Sequence, residues 1–87
     1  MTDAQDSLLT FPCDLAIKVF GRNEPAFRDT AVAIVREHYG AEPTVSEHVS
    51  SRGAYKSLTI TVHAESREQM DAIYQALVAS AEILMVL

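Results

Sequence analysis

Tryptophan is absent from this 87-residue chain, cysteine occurs once, and glycine and proline number three each. Each scarcity closes off a class of protein. A lone Cys13 permits no intramolecular disulfide and none of the paired thiols of zinc ribbons or redox motifs, and it suits a reducing compartment. With so few glycines, and Gly21 alone in the loop after the first strand, a phosphate cradle built on clustered glycines is missing. Basic residues are also scarce, seven against twelve acidic, for a formal charge of −5. A polyanion would be repelled on approach, so nucleic acid is not an expected partner. No apolar run approaches the roughly 20 residues of a membrane span, and MTDAQDSLLTF has neither the basic nor the apolar region of a secretory leader. The expectation is a cytoplasmic protein with no membrane contact.

What is present is a folding composition, 48% hydrophobic. That is enough apolar mass for one domain over residues 1–87, with 1–9 expected to be flexible. The dominant stretch is Thr44 to Ala64, which reads as two strands joined by a turn at Ser51, Arg52, Gly53 and Ala54. In the second strand Leu58, Ile60 and Val62 alternate with Ser57, Thr59, Thr61 and His63, the period of a half-buried strand. The first, Thr44 to Ser50, sets Glu47 between Val45 and Val49 on one face, which marks an edge strand blunted by charge.

Upstream, Leu8, Leu9 and Phe11 bring apolar side chains ahead of Pro12. A strand is expected over Cys13 to Phe20, with Leu15, Ile17 and Val19 alternating, and Gly21 ending it. Asn23 or Glu24 then caps a helix with Pro25 in its first turn. Its apolar stripe is Phe27, Ala31, Ile34, Val35 and His38, and Gly40 supplies a left-handed stop. After the hairpin, Ser66 with Gln69 forms a capping box for a helix to about Ser80, striped by Met70, Ile73, Tyr74, Leu77 and Ala81. Ile83 to Leu87 reads as a final strand.

The order β-α-β-β-α-β, with both helices needing one apolar surface, predicts an α+β, ferredoxin-like fold. It is a four-stranded antiparallel sheet with the first and third strands central and two helices on one face. The opposite face would carry Lys18, Ser57, Thr59, Thr61 and His63. The last strand, apolar on both sides and at an edge, invites pairing with a second copy, so a homodimer is one expected assembly.

Catalytic and metal chemistry find little support. His38, His48 and His63 lie on different elements without ligand spacing, so neither a metal nor another cofactor is expected, although His48 and His63 could meet across the hairpin. Cys13 with a histidine would need an oxyanion donor as well, and a small apolar residue opening a strand is the commoner role. Acylphosphatase-like enzymes share the topology and use an arginine after the first strand, which makes Arg22 and Arg28 a weak alternative in the absence of a glycine-rich cradle. RNA-recognition modules stack bases on central-strand aromatics, and only Phe20 and Tyr55 are available. The segment Ser50 to Tyr55 is richer than a turn requires: two hydroxyls, a guanidinium and a phenol form a donor set suited to a carboxylate or a partner's backbone. Gly53 has its own explanation in the positive φ of hairpin turns.

FPCDLAIKVFG, the SSRGAY turn followed by KSLTITVHA, and the terminal MVL together resemble the YbeD-like family of small bacterial proteins over nearly the whole chain. The positions that match are Phe11, Pro12, Lys18, Gly21, Ser50, Ser51, Arg52, Gly53 and Tyr55; the segment between Gly40 and Val49 matches poorly. The resemblance implies a ferredoxin-like fold similar to amino-acid-binding ACT domains, and a link to regulation of lipoate metabolism. It also suggests ligand or partner contacts at Lys18, Gly21, Ser50, Ser51, Arg52, Gly53 and Tyr55, with the loop Gly21 to Pro25 as the usual effector region of ACT domains. Three functions stand open at this point. They are a non-enzymatic regulatory protein binding a small carboxylate, an adaptor that binds another protein through the open sheet face or edge strand, and an acylphosphatase-like hydrolase.

Overall fold

The computed structural model describes residues 10–87. The expectations for residues 1–9, including the apolar Leu8 and Leu9, lie outside them. In chain order the elements are β1 (Cys13–Arg22), α1 (Pro25–Tyr39), β2 (Thr44–Val49), β3 (Tyr55–Ala64), α2 (Arg67–Ala79) and β4 (Met85–Val86). The sheet runs β2-β3-β1-β4 and every pairing is antiparallel. This is the ferredoxin-like arrangement the sequence predicts, with the first and third strands central.

One parity rule organises the packing. Ile17 and Val19 of β1 and Leu58, Ile60, Val62 and Ala64 of β3 point to the helices and are buried. They meet Phe27, Ala31 and Val35 of α1 and Met70, Ile73 and Leu77 of α2 in one cluster. Burying each larger side chain is worth about 1.5–3 kcal/mol, so this seam holds the sheet and helices together.

Both helix termini of α2 and the end of α1 are satisfied locally. The Ser66 hydroxyl accepts from the Gln69 amide at 3.1 Å, and the Gln69 side chain reaches back to accept from the Glu65 amide at 2.8 Å. The same side chain donates to the Gly40-proximal end of α1, at the His38 carbonyl, 3.3 Å away. Gly40 stops α1 at φ 77°, the left-handed conformation a glycine adopts without cost. Glu24 takes the cap position of α1 but makes no side-chain capping bond.

Several expectations are corrected. Gly21 does not end β1, because Gly21 and Arg22 still pair with Lys56 and Tyr55. A glycine is needed there for space: a Cβ would lie 2.3 Å from Phe27 Cδ1. The buried stripe of α1 includes Val32 in place of the exposed His38, and Ile34 is only half-buried. Ala81 lies beyond α2 and is exposed. The last strand is two residues long, although backbone bonds between Lys18 and Leu87 and from the Leu84 amide to Phe20 continue the contact on either side. No helix among the described residues is long and apolar enough to cross a membrane.

Candidate functional site

The face of the sheet away from the helices is uncovered among the described residues. Alternation along β1 and β3 places Asp14, Lys18, Phe20 and Arg22 beside His63, Thr59, Ser57 and Tyr55, which are their registered partners. β2 adds Thr44, Ser46 and His48, and β4 adds Met85 next to Phe20. The centre of this face is therefore hydroxyl-rich. Its character changes towards the hairpin, where Tyr55, Met85 and Leu87 are 49%, 53% and 62% exposed and Phe20 is half-buried.

The hairpin turn itself is built by Ser50 and tied down by Asn23. The Gly53 amide donates to the Ser50 carbonyl at 2.8 Å, the Ser50 amide to the Tyr55 carbonyl at 2.9 Å, and the Tyr55 amide also to the Ser50 hydroxyl at 3.1 Å. Gly53 holds φ at 77°, a conformation that disfavours any residue with a Cβ. From the loop between β1 and α1, the Asn23 backbone amide donates to Ala54 and its side-chain amide to Gly53, at 3.0 and 2.9 Å. Asn23 entered the sequence reading only as a possible helix cap, and nothing in the sequence distinguishes that role from this one. Two shallow hollows flank the turn. One of about 120 Å³ is lined by Phe20, His48, Ser50, Tyr55, Lys56 and Ser57, the other of about 270 Å³ by Ser50, Ser51, Arg52, Ala54 and Tyr55.

The seven residues singled out by sequence thus divide. Ser50, Ser51, Arg52, Gly53 and Tyr55 gather at the turn. Lys18 lies on the same face but four residues along β1 from the Arg22–Tyr55 pair, roughly 13 Å away. Gly21 is buried on the opposite face under Phe27, where its role is packing.

Charges on the two sides of the molecule are handled differently. Glu47 of β2 faces α1, where it pairs with Arg28 and, at 3.3 Å, with Lys56. The Lys56 hydrogen bond, with Arg28 adding to it, holds the Glu47 carboxyl below its ordinary range. Arg36 grips Glu42 through two bonds of 2.9 and 2.7 Å. Arg28, Arg36 and Glu42 line a hollow of about 400 Å³ between α1 and the start of β2, whose arginines are thus already occupied. Arg67 is engaged as well. Among the described residues only Lys18, Arg22 and Arg52 form no ion pair, and all three belong to the open face or its turn.

His63 and Asp14 pair across the open face at 2.7 Å, and this hydrogen bond raises the histidine above its ordinary pKa. His48 and His63 do not meet. His48 stands opposite Ser57, six residues along β3 from His63, roughly 20 Å apart. Cys13 and His63 point to opposite faces by strand parity, and Arg28 is held by Glu47 while Arg22 lies on the open face, so neither catalytic pairing assembles. No three of the described His, Cys, Asp and Glu residues converge on a metal-sized site.

The chain is 42% identical to a UPF0250 protein of Paraburkholderia phytofirmans over the full length of both. It is 43% identical to UPF0250 protein NE1487 of Nitrosomonas europaea, over 84% of this chain and 86% of that one. Among solved structures, protein HP0495 of H. pylori superposes with a TM-score of 0.78 at 12% identity, covering all of this chain and 93% of the other, which is a likeness of fold. A family model described as a protein of unknown function, DUF493, matches residues 6–87. YbeD belongs to that same family, so the resemblance read from the FPCDLAIKVFG and SSRGAY segments holds, and the chain is a member of the DUF493 family.

Proposed function

We propose that this chain is a non-catalytic regulatory binding protein that captures another protein on its open sheet face, at the hairpin end. The observation that carries the reading is the exposure of Tyr55, Met85 and Leu87 around Phe20 on a sheet face that no helix among the described residues covers. A sheet seeks a second layer for an apolar face, and here the layer is left for a partner. The hollows at the turn, about 120 and 270 Å³, fall below the roughly 300–1,000 Å³ of sites that enclose a small molecule. That favours a surface over a pocket.

Site-specific photocrosslinking in the native host tests it. A crosslinker at Ser57 or Thr59 is expected to give adducts with a discrete polypeptide, while one at Glu68 or Gln75 on the outer side of α2 gives none. Adducts from the helix side alone, or none from either, overturn the reading.

The second reading is the small carboxylate that the family resemblance implies, in the setting of lipoate metabolism. The donor set around Arg52 in the larger hollow favours it. Titration with lipoate, followed by amide NMR, is expected to move Ser51 to Tyr55 in the parent and not in Arg52→Ala. Equal affinity in the two proteins removes Arg52 from the site.

A further inference from the structure

We infer that the partner segment is acidic and amphipathic, and that Lys18, Arg22 and Arg52 are the charges that select it. This rests on the open-face reading above and names the chemistry of what docks there. In a chain of formal charge −5, the three cations without an ion partner among the described residues share one face, whose carboxylates, Asp14 and the neighbouring Glu65, gather around His63 at its other end. Every other cation is engaged on the helix side or beside it, four in all: Arg28, Arg36, Lys56 and Arg67.

The arrangement along β1 is alternating. Lys18, Phe20 and Arg22 occupy successive positions on the same face, with Leu87 and Met85 beside the first two on the β4 side and Tyr55 beside the third. Arg52 shares a hollow with Tyr55 and extends the stripe past the end of the sheet. Cation, apolar and cation in sequence call for a ligand offering carboxylate, apolar and carboxylate, with the acidic groups about 13 Å apart. On a helix that separation corresponds to about nine residues.

The overall negative charge does not defeat this. At physiological salt the Debye length is about 8 Å, and the acidic outer surfaces of the helices stand more than a sheet-to-layer spacing of about 10 Å behind the open face. An approaching acidic segment therefore meets the local cations ahead of the distant acids. A single-stranded nucleic acid is the less suitable occupant, because the middle of β3 presents Ser57, Thr59 and Thr61 where stacking rings would be needed. A second copy of this chain could offer an acidic helix face, but sheet-to-helix contact is heterologous and would propagate into rings or open chains.

The test uses the full-length protein with the crosslinker at Thr59, in its own host, and identifies the captured peptide by mass spectrometry. The expected peptide is net acidic with apolar residues between its carboxylates. Lys18→Glu, Arg22→Glu and Arg52→Glu together should cut its yield at least about tenfold, whereas Arg36→Glu on the helix side leaves it unchanged. A circular dichroism spectrum like that of the parent shows that the triple variant is folded. Capture that persists after the triple reversal overturns the inference and leaves the open-face reading standing; a neutral or basic peptide, a crosslinked RNA, or this chain itself as the captured species likewise overturns it. Absence of any open-face adduct sinks both.

Discussion

Replacing Gly21 with alanine isolates one packing contact with unusual clarity. Gly21 lies in β1 with an ordinary backbone conformation, so the substitution brings no left-handed penalty. What it brings is a methyl group 2.3, 2.6 and 2.7 Å from three ring carbons of Phe27, which is 1% exposed. Restoring ordinary contact near 3.5 Å requires the ring to retreat by more than about 1 Å. The fully buried Ala31 and Val35 share the same cluster, so the retreat displaces close-packed neighbours. The cost belongs at the upper end of overpacking, about 3 kcal/mol, a large share of the roughly 5–15 kcal/mol by which a domain is stable.

Urea denaturation of parent and variant measures the cost directly, provided the slope is unchanged. In heating experiments the same loss should lower Tm by about 12–24 °C. Phe27→Leu removes the obstructing ring edge, so the double variant should be more stable than the sum of the single losses by at least about 1 kcal/mol. Gly53→Ala is the contrasting case. Nothing lies within 4 Å of its Cβ, yet φ is 77°, so it should cost about 1–2 kcal/mol that Phe27→Leu does not relieve. A Gly21→Ala protein within 0.5 kcal/mol of the parent, or strict additivity with Phe27→Leu, would refute the steric account.

Other outcomes follow from individual contacts. Asn23→Ala removes the side-chain bond to Gly53 and should cost about 0.5–1.5 kcal/mol, with faster amide exchange at Gly53 and Ala54 than in the parent. Ser66→Ala should cost about 1 kcal/mol by removing the hydroxyl that accepts from the Gln69 amide, and urea unfolding reads it. His63 is raised by its hydrogen bond to Asp14, so the pair's contribution to stability is whole below the unfolded value of 6.5 and is lost as pH rises through the folded one. NMR titration of the imidazole should show the raised midpoint, and Asp14→Asn should return it towards 6.5; an unchanged midpoint in that variant removes Asp14 as the cause.

How much of this was legible in the sequence depends on whether the signal was local. The alternation Leu58, Ile60, Val62 and the Ser66–Gln69 capping box act within a few residues, and both appear as read. Gly21 was misread because its reason lies six residues away in sequence and on another element: a glycine at a strand end and a glycine beneath a ring look identical until Phe27 is in place. Val32 replaced His38 in the buried stripe because the face a helix turns inward is set by the sheet it lies on. The same distance dependence governs the candidate site. Ser50 to Tyr55 could be grouped because they are consecutive, whereas the isolation of Lys18, Arg22 and Arg52 emerges only when Glu42 and Glu47 are seen to occupy Arg36, Arg28 and Lys56.

The two hydrogen bonds from Asn23 also bear on how this chain can change in length. A hairpin turn is ordinarily a permissive place for an extra residue, since only its own two strands must close around it. Here the carbonyls of Gly53 and Ala54 are claimed from outside the hairpin, so an insertion between Ser51 and Ala54 would have to preserve their position relative to the start of α1. A library of single-residue insertions should find that turn intolerant, and should find the Ser80–Glu82 segment, exposed at Ala81 and Glu82 and bonded only to itself and its chain neighbours Leu77 and Ile83, the more accommodating join.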